Sequence, residues 1–153
     1  MKSVLIDTSK GWVAVIIGEE LLLKVFNHRL EQRLGKTVHM RELRLSEKFS
    51  ILRIFNELFS RGGVELYSLK SQNKSIWKEL LDAFIRKGIS VVYVDFEVEK
   101  ELKKTMHPRY FRLLNIYPNK ERVQCADILA YGDSHHNLVR NIWKDIRIIR
   151  GNY

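Results

Sequence analysis

The chain has 153 residues, the length of one ordinary domain, and 45% of them are hydrophobic against 29% charged. That balance excludes intrinsic disorder, and two prolines with eight glycines exclude a collagen-like or low-complexity chain. A formal net charge of +9 points to a polyanionic partner, nucleic acid above all, with a solubilising surface or an acidic protein partner as the alternatives.

In chain order, Val4-Leu5-Ile6 reads as a short strand, and Thr8-Ser9-Lys10-Gly11 as a polar turn. Trp12 to Ile17, rich in β-branched residues, reads as a second strand. Gly18-Glu19 fits a two-residue hairpin turn, which makes Leu21 to Phe26 a third antiparallel strand. Residues 46–61 place Leu52, Phe55, Leu58 and Phe59 on one helical stripe that ends at Gly62-Gly63. Val64 to Tyr67 then forms a strand, residues 75–87 a helix closed by Gly88, and Ile89 to Val94 a strand ending at Asp95. A charged helical segment near 98–105 precedes an irregular stretch around His107-Pro108 and Tyr117-Pro118. A helix from about 121 to 131 and an amphipathic piece over 136–147 complete the chain. Trp12, Trp77 and Trp143 read as core.

No linker or repeat divides these elements, so residues 1–153 are expected to form a single domain. Three antiparallel strands followed by helix, strand, helix, strand, helix is the order used by the ribonuclease H-like fold. The expected architecture is therefore α/β with a mixed five-stranded sheet, its crossover strands parallel to the first.

The lone cysteine, Cys125, excludes an intrachain disulfide or a cysteine zinc cluster and suits a reducing compartment. The longest uncharged apolar stretch, Gly11 to Gly18, is far shorter than the ~20 residues of a spanning helix. Asp7 arrives before any signal-peptide core. A cytoplasmic protein without a membrane partner is expected.

Four carboxylates stand out. Asp7 and Asp95 end strands, where the carboxyl edge of a parallel α/β sheet builds its sites. Glu42 precedes the first long helix, and Asp127 lies on the helix opened by Val123-Gln124-Cys125-Ala126. Gln124 and Asp127 share one helical face. Clustered oxygen ligands of this kind suit two-metal cleavage of phosphodiesters with Mg²⁺ or Mn²⁺; aspartates in ordinary turns and caps are the alternative.

At these residues the chain resembles a ribonuclease H-like family whose members open with an Ile-Asp-Glu-Ser-Gly strand end and close with a Gln-x-Ala-Asp-x-x-Ala helix. The opening is matched by Ile6-Asp7-Thr8-Ser9-Lys10 and the closing by Gln124-Cys125-Ala126-Asp127-Ile128-Leu129-Ala130. Glu42-Leu43-Arg44 matches the middle signature, a glutamate followed two residues later by a basic residue. The resemblance implies Asp7, Glu42 and Asp127 as metal ligands. It departs at Thr8 and Lys10, which replace a glutamate and a glycine, and Asp95 stands in for an acid missing after Tyr67.

Arg44 is placed to orient Glu42, to contact a phosphate or to form a plain salt bridge. The segment 100–122 is a candidate nucleic-acid surface: Lys100, Lys103, Lys104, Arg109, Arg112, Lys120 and Arg122 face only Glu101 and Glu121. Tyr110, Phe111 and Tyr117, interleaved there, suit base stacking or the core. His135-His136 comes near Asp127 in sequence, whereas His28, His39 and His107 are given no metal role. The leading reading is a divalent-metal-dependent nuclease. An inactive nucleic-acid-binding module of the same fold, or a basic protein-interaction subunit, are the alternatives.

Overall fold

Residues 1–71, 73 and 75–152 are described by the computed structural model of the chain. Two eight-residue strands come first, β1 (Lys2–Ser9) and β2 (Trp12–Glu19), paired antiparallel from Lys2↔Glu19 to Ser9↔Trp12. Lys10 and Gly11 form the turn between them, with φ of 48° and 82°. Two successive positive φ angles make a type I′ turn, whose twist matches that of the strands.

The expected hairpin at Gly18-Glu19 is absent, because β2 runs through both residues and a helix, α1 (Glu20–Leu34), begins at once. Leu21 to Phe26 is thus helical and not a third strand. Leu23, Phe26, Asn27 and Leu30 are its buried residues, a spacing that only a helix brings to one face. A 3₁₀ turn at Met40–Glu42 leads into α2 (Leu45–Phe59). The third antiparallel strand is β3 (Val64–Lys70), so α1 and α2 form an insertion between the second and third strands.

Beyond it the order is α3 (Ser75–Arg86), β4 (Val91–Val94), α4 (Phe96–Thr105), α5 (Tyr110–Leu113), β5 (Asn115–Pro118), α6 (Gln124–Ser134), α7 (His136–Val139) and β6 (Ile148–Asn152). The stretch read as irregular therefore contains α5 and β5, and the chain's last segment adds a strand that its amphipathic pattern did not suggest. The sheet is mixed and has six strands, not five, in the order β5-β4-β1-β2-β3-β6. β4 pairs parallel with β1, β5 with β4, and β6 with β3.

Alternation along β1 assigns its residues to two apolar cores. Leu5 joins the core under α1, α2 and α6, while Val4 and Ile6 join the one under α3, α4 and α5. Asp7 follows the parity of Leu5 and faces the α6 layer. Nine residues of α6 are buried, and it packs on β1 and β2 close enough that Gly132 meets the ring of Trp143. A Cβ at Gly132 would lie 2.1 Å from that ring. Asp133, also buried, forms a bidentate pair with Arg150 at 3.0 and 3.1 Å, fastening β6 to α6. Of the three tryptophans, Trp77 is buried and Trp12 and Trp143 are half-buried. Among the described residues no helix is long and apolar enough to cross a membrane.

Candidate metal-binding cleft

The carboxyl ends of β1 and β4 lie side by side. Ile6 pairs with Val94, and the Asp95 N–H continues the ladder by donating to the Ile6 carbonyl at 3.3 Å. Asp7 and Asp95 therefore leave adjacent strands at the same edge. Asp127 reaches the same point from the first turn of α6. These three acids line a cleft of 670 Å³ together with a fourth, Glu97, and with Lys10, His39, Arg41, Lys48, Tyr131 and His135.

Asp7 is only 7% exposed. Its Oδ1 accepts the Thr8 N–H at 2.7 Å, and its carboxyl shares a hydrogen bond with Asp127. Burial, then the Asp127 charge beside it, pushes Asp7 up from 3.8 to about 8, with Asp95 adding to the rise. Burial likewise raises Asp127, although its bond from Met40 and the nearby His39 pull the other way. Both carboxyls are thus held above the ordinary aspartate range, first by burial, and Asp7 further by the Asp127 charge beside it. Asp95 is half-exposed, and its Oδ2 caps α4 by accepting the Glu97 N–H at 3.2 Å.

The polar face of α6 has a further duty. Gln124 Oε1 accepts the Val38 N–H at 2.7 Å, and Asp127 Oδ2 accepts the Met40 N–H at 2.8 Å. Gln124 also donates from Nε2 to the Glu121 carbonyl at 2.7 Å. Residues three apart on the helix hold residues two apart on an extended strap, so the connection between α1 and α2 is pinned across α6. The strap brings His39 Nδ1 to 3.8 Å from Asp127 Oδ1. His39, given no metal role from the sequence, is therefore a wall residue of the cleft.

Glu42 is not. It lies exposed on the 3₁₀ turn, outside the cleft lining, while its neighbours His39 and Arg41 face in. Arg44 caps α2 and pairs with Glu47 at 3.3 Å, which leaves it neither orienting Glu42 nor lining the cleft.

The candidate basic surface is also placed elsewhere. Lys100 and Lys103 pair along α4 with Glu97 and Glu99, at 3.9 and 3.6 Å. Arg122 lies over the Tyr93 ring and 3.9 Å from Glu20. Arg109 leans on Tyr110 in a separate groove beside Lys78 and His107. Lys104, Arg112 and Lys120 are exposed, but none of these seven residues lines the carboxylate cleft. Tyr110 is buried, with its hydroxyl donating to Asp82 at 2.7 Å; Phe111 packs against the core, and Tyr117 stays half-exposed beside Tyr93. Of these three aromatics only Tyr117 is presented to solvent.

In their place the cleft carries Lys10, Arg41 and Lys48, none of which forms an ion pair among the described residues. Lys48 Nζ lies 5.2 Å above the Tyr131 ring, whose plane is stacked by His135 with centroids 3.9 Å apart. For Lys10 the sequence carried a signal, its place three residues after Asp7 in the opening motif; Arg41 and Lys48 had none of their own.

Oxygen donors dominate the acids of the cleft, the chemistry of a hard divalent cation. Among the described residues, however, no three His, Cys, Asp or Glu side chains converge as a closed metal-ligand group. Two carboxylates in reach of each other with a third alongside fit an ion that retains waters, as Mg²⁺ does. Comparison with protein-family models, with curated proteins and with solved structures finds no match in any of the three.

Proposed function

We propose that the protein is a divalent-metal-dependent hydrolase of nucleic-acid phosphodiesters with a ribonuclease H-like fold. The observation that supports this reading is the buried Asp7–Asp127 pair, two carboxyls that burial and mutual repulsion make costly to ionise together. Such a pair is costly to ionise alone and becomes favourable once a cation takes the proton's place. The fold reading draws on the element order, in which three antiparallel strands are followed by strands parallel to the first, with α1 and α2 inserted.

Asp7 and Asp127 would hold Mg²⁺ or Mn²⁺ with Asp95 beside them. A bound ion there supplies charge neutralisation at the phosphate and a more acidic water. Asp7 would take part as its ionised carboxylate, its proton passing to solvent, while Asp127 is kept oriented by the Met40 N–H. The unpaired cations of the wall offset the repulsion between acids and phosphate.

The open ligand set and Thr8 in place of a motif glutamate favour one second reading, a binding module of the same fold without cleavage. Calorimetric titration with Mn²⁺ tests both, followed by incubation with labelled single- and double-stranded DNA and RNA. Binding that is lost in Asp7→Asn and Asp127→Asn, with cleavage by the wild type, is the expected result. Metal binding and nucleic-acid binding without cleavage select the second reading, and absence of Mn²⁺ binding at millimolar concentration removes the metal site.

A further inference from the structure

Lys10 is the only non-glycine residue with positive φ among those described, at 48°. The first position of a type I′ turn favours Asn, Asp or Gly, so lysine is a poor choice for the turn itself. Its side chain explains the choice no better as an ion pair, because it forms none among the described residues. Nζ instead reaches Nε2 of His135 at 3.2 Å, across 125 positions of sequence.

The imidazole is held firmly. His135 Nδ1 lies 2.8 Å from the Tyr131 carbonyl, which only accepts, so Nδ1 carries the hydrogen and Nε2 presents a lone pair. Ser134 Oγ sits 3.0 Å from the same nitrogen, and Ser9 Oγ lies 3.0 Å from Ser134 Oγ, tying the hairpin to the end of α6. A neutral acceptor aims the ammonium without cancelling its charge. Lys100 and Lys103, by contrast, meet carboxylates.

We propose that Lys10 binds a phosphate group of the ligand on the wall of the cleft, with His135 as its positioning residue. Naming the anion as phosphate rests on the phosphodiester reading above; an ammonium aimed into the cleft by an imidazole, with no ion pair among the described residues, does not. Two of the three ammonium hydrogens remain for the anion, and Lys48 and Arg41 line the same cleft.

The test is calorimetric titration with inorganic pyrophosphate in EDTA, using the whole chain. Lys10→Asn is expected to weaken binding about tenfold, the usual size of one charge-assisted hydrogen bond. Its thermal midpoint stays unchanged or rises, because asparagine suits the turn. His135→Asn, which keeps a donor for the Tyr131 carbonyl but lacks Nε2, weakens binding as well. His135→Gln restores part of it, and adding His135→Asn to Lys10→Asn costs nothing further, since the histidine acts through the lysine.

Wild-type affinity in Lys10→Asn, full additivity of the two changes, or no pyrophosphate binding at millimolar concentration each overturns the proposal. A parallel Mn²⁺ titration keeps the two readings apart. Lys10-dependent pyrophosphate binding without Mn²⁺ binding removes the hydrolase and leaves the subsite standing. Normal Mn²⁺ binding with Lys10-independent pyrophosphate binding removes the subsite alone.

Discussion

Asp7→Asn is expected to stabilise the protein while it abolishes metal binding. The Asp7 carboxyl titrates near 8 in the fold against 3.8 for the free side chain. A raised pKa means that the protonated form favours the folded state, so the contribution is complete below about pH 4 and is lost as pH climbs toward 8. Each pH unit in that window costs ~1.4 kcal/mol, so on the order of 4 kcal/mol has gone by pH 7. Asparagine has no proton to lose. Its oxygen can still accept the Thr8 N–H, and its amide can donate to Asp127 where the carboxyl hydroxyl did.

Urea denaturation in EDTA, followed by tryptophan fluorescence at pH 5 and pH 8, measures the difference. The variant is expected to exceed the wild type by about 5 kcal/mol at pH 8 and by about 1.5 kcal/mol at pH 5. Saturating Mn²⁺ narrows the gap, adding about 2.7 kcal/mol to the wild type at a hundredfold excess over Kd and nothing to the variant. A variant less stable at both pH values, or a wild type that gains on it as pH rises, refutes the reasoning.

Gly132→Ala drives a methyl group into the Trp143 ring, 2.1 Å from its place, and is expected to cost about 1–3 kcal/mol, read as a fall of several degrees in Tm. Gln124→Leu leaves the buried Val38 N–H unpaired, costs about 1–3 kcal/mol in denaturation, and weakens Mn²⁺ binding through the loosened strap. Replacing Lys10, Arg41 and Lys48 together lowers the salt slope of single-strand binding by roughly 2, whereas the Lys103, Lys104 and Arg109 triple leaves it unchanged, as affinity measured across a salt series will show.

What was legible in the sequence follows the range of the interactions involved. Val91 to Val94 and the helix over 75–86 could be read because β-branched runs and a 3.6-residue stripe are local signals. Leu21 to Phe26 misled because six residues, apolar but for Lys24, satisfy both periods; only Asn27 and Leu30, one turn further on, decide for a helix. β6 escaped because its pairing partner, β3, is some eighty residues away and its anchor is the Arg150–Asp133 pair. Asp7, Asp95 and Asp127 could be singled out from strand-end and helix-face positions, and the structure brings all three to one cleft. Glu42 was overvalued because its motif carries no information on which residue of the turn faces inward. His39, Arg41 and Lys48 enter the cleft through the inserted α1–α2 unit, whose position depends on Gln124 and Asp127 and on no pattern of its own.

Asp127 therefore has two duties that a pair of substitutions separates. Its Oδ2 holds the strap through the Met40 N–H at 2.8 Å, and the carboxylate also meets Asp7 and His39. Asparagine at 127 can keep the first duty, because its single oxygen accepts from Met40 while the amide turns toward Asp7. It loses the second, since an amide nitrogen cannot ligate a hard cation. Alanine loses both and leaves the Met40 N–H without its acceptor, a cost of about 1–3 kcal/mol that asparagine avoids. Denaturation at pH 7 in EDTA is thus expected to rank Asp127→Asn above Asp127→Ala by that amount, with Mn²⁺ binding absent from both. Equal stabilities would show that the strap does not depend on this carboxylate. Retained Mn²⁺ binding in Asp127→Asn would move the metal away from α6.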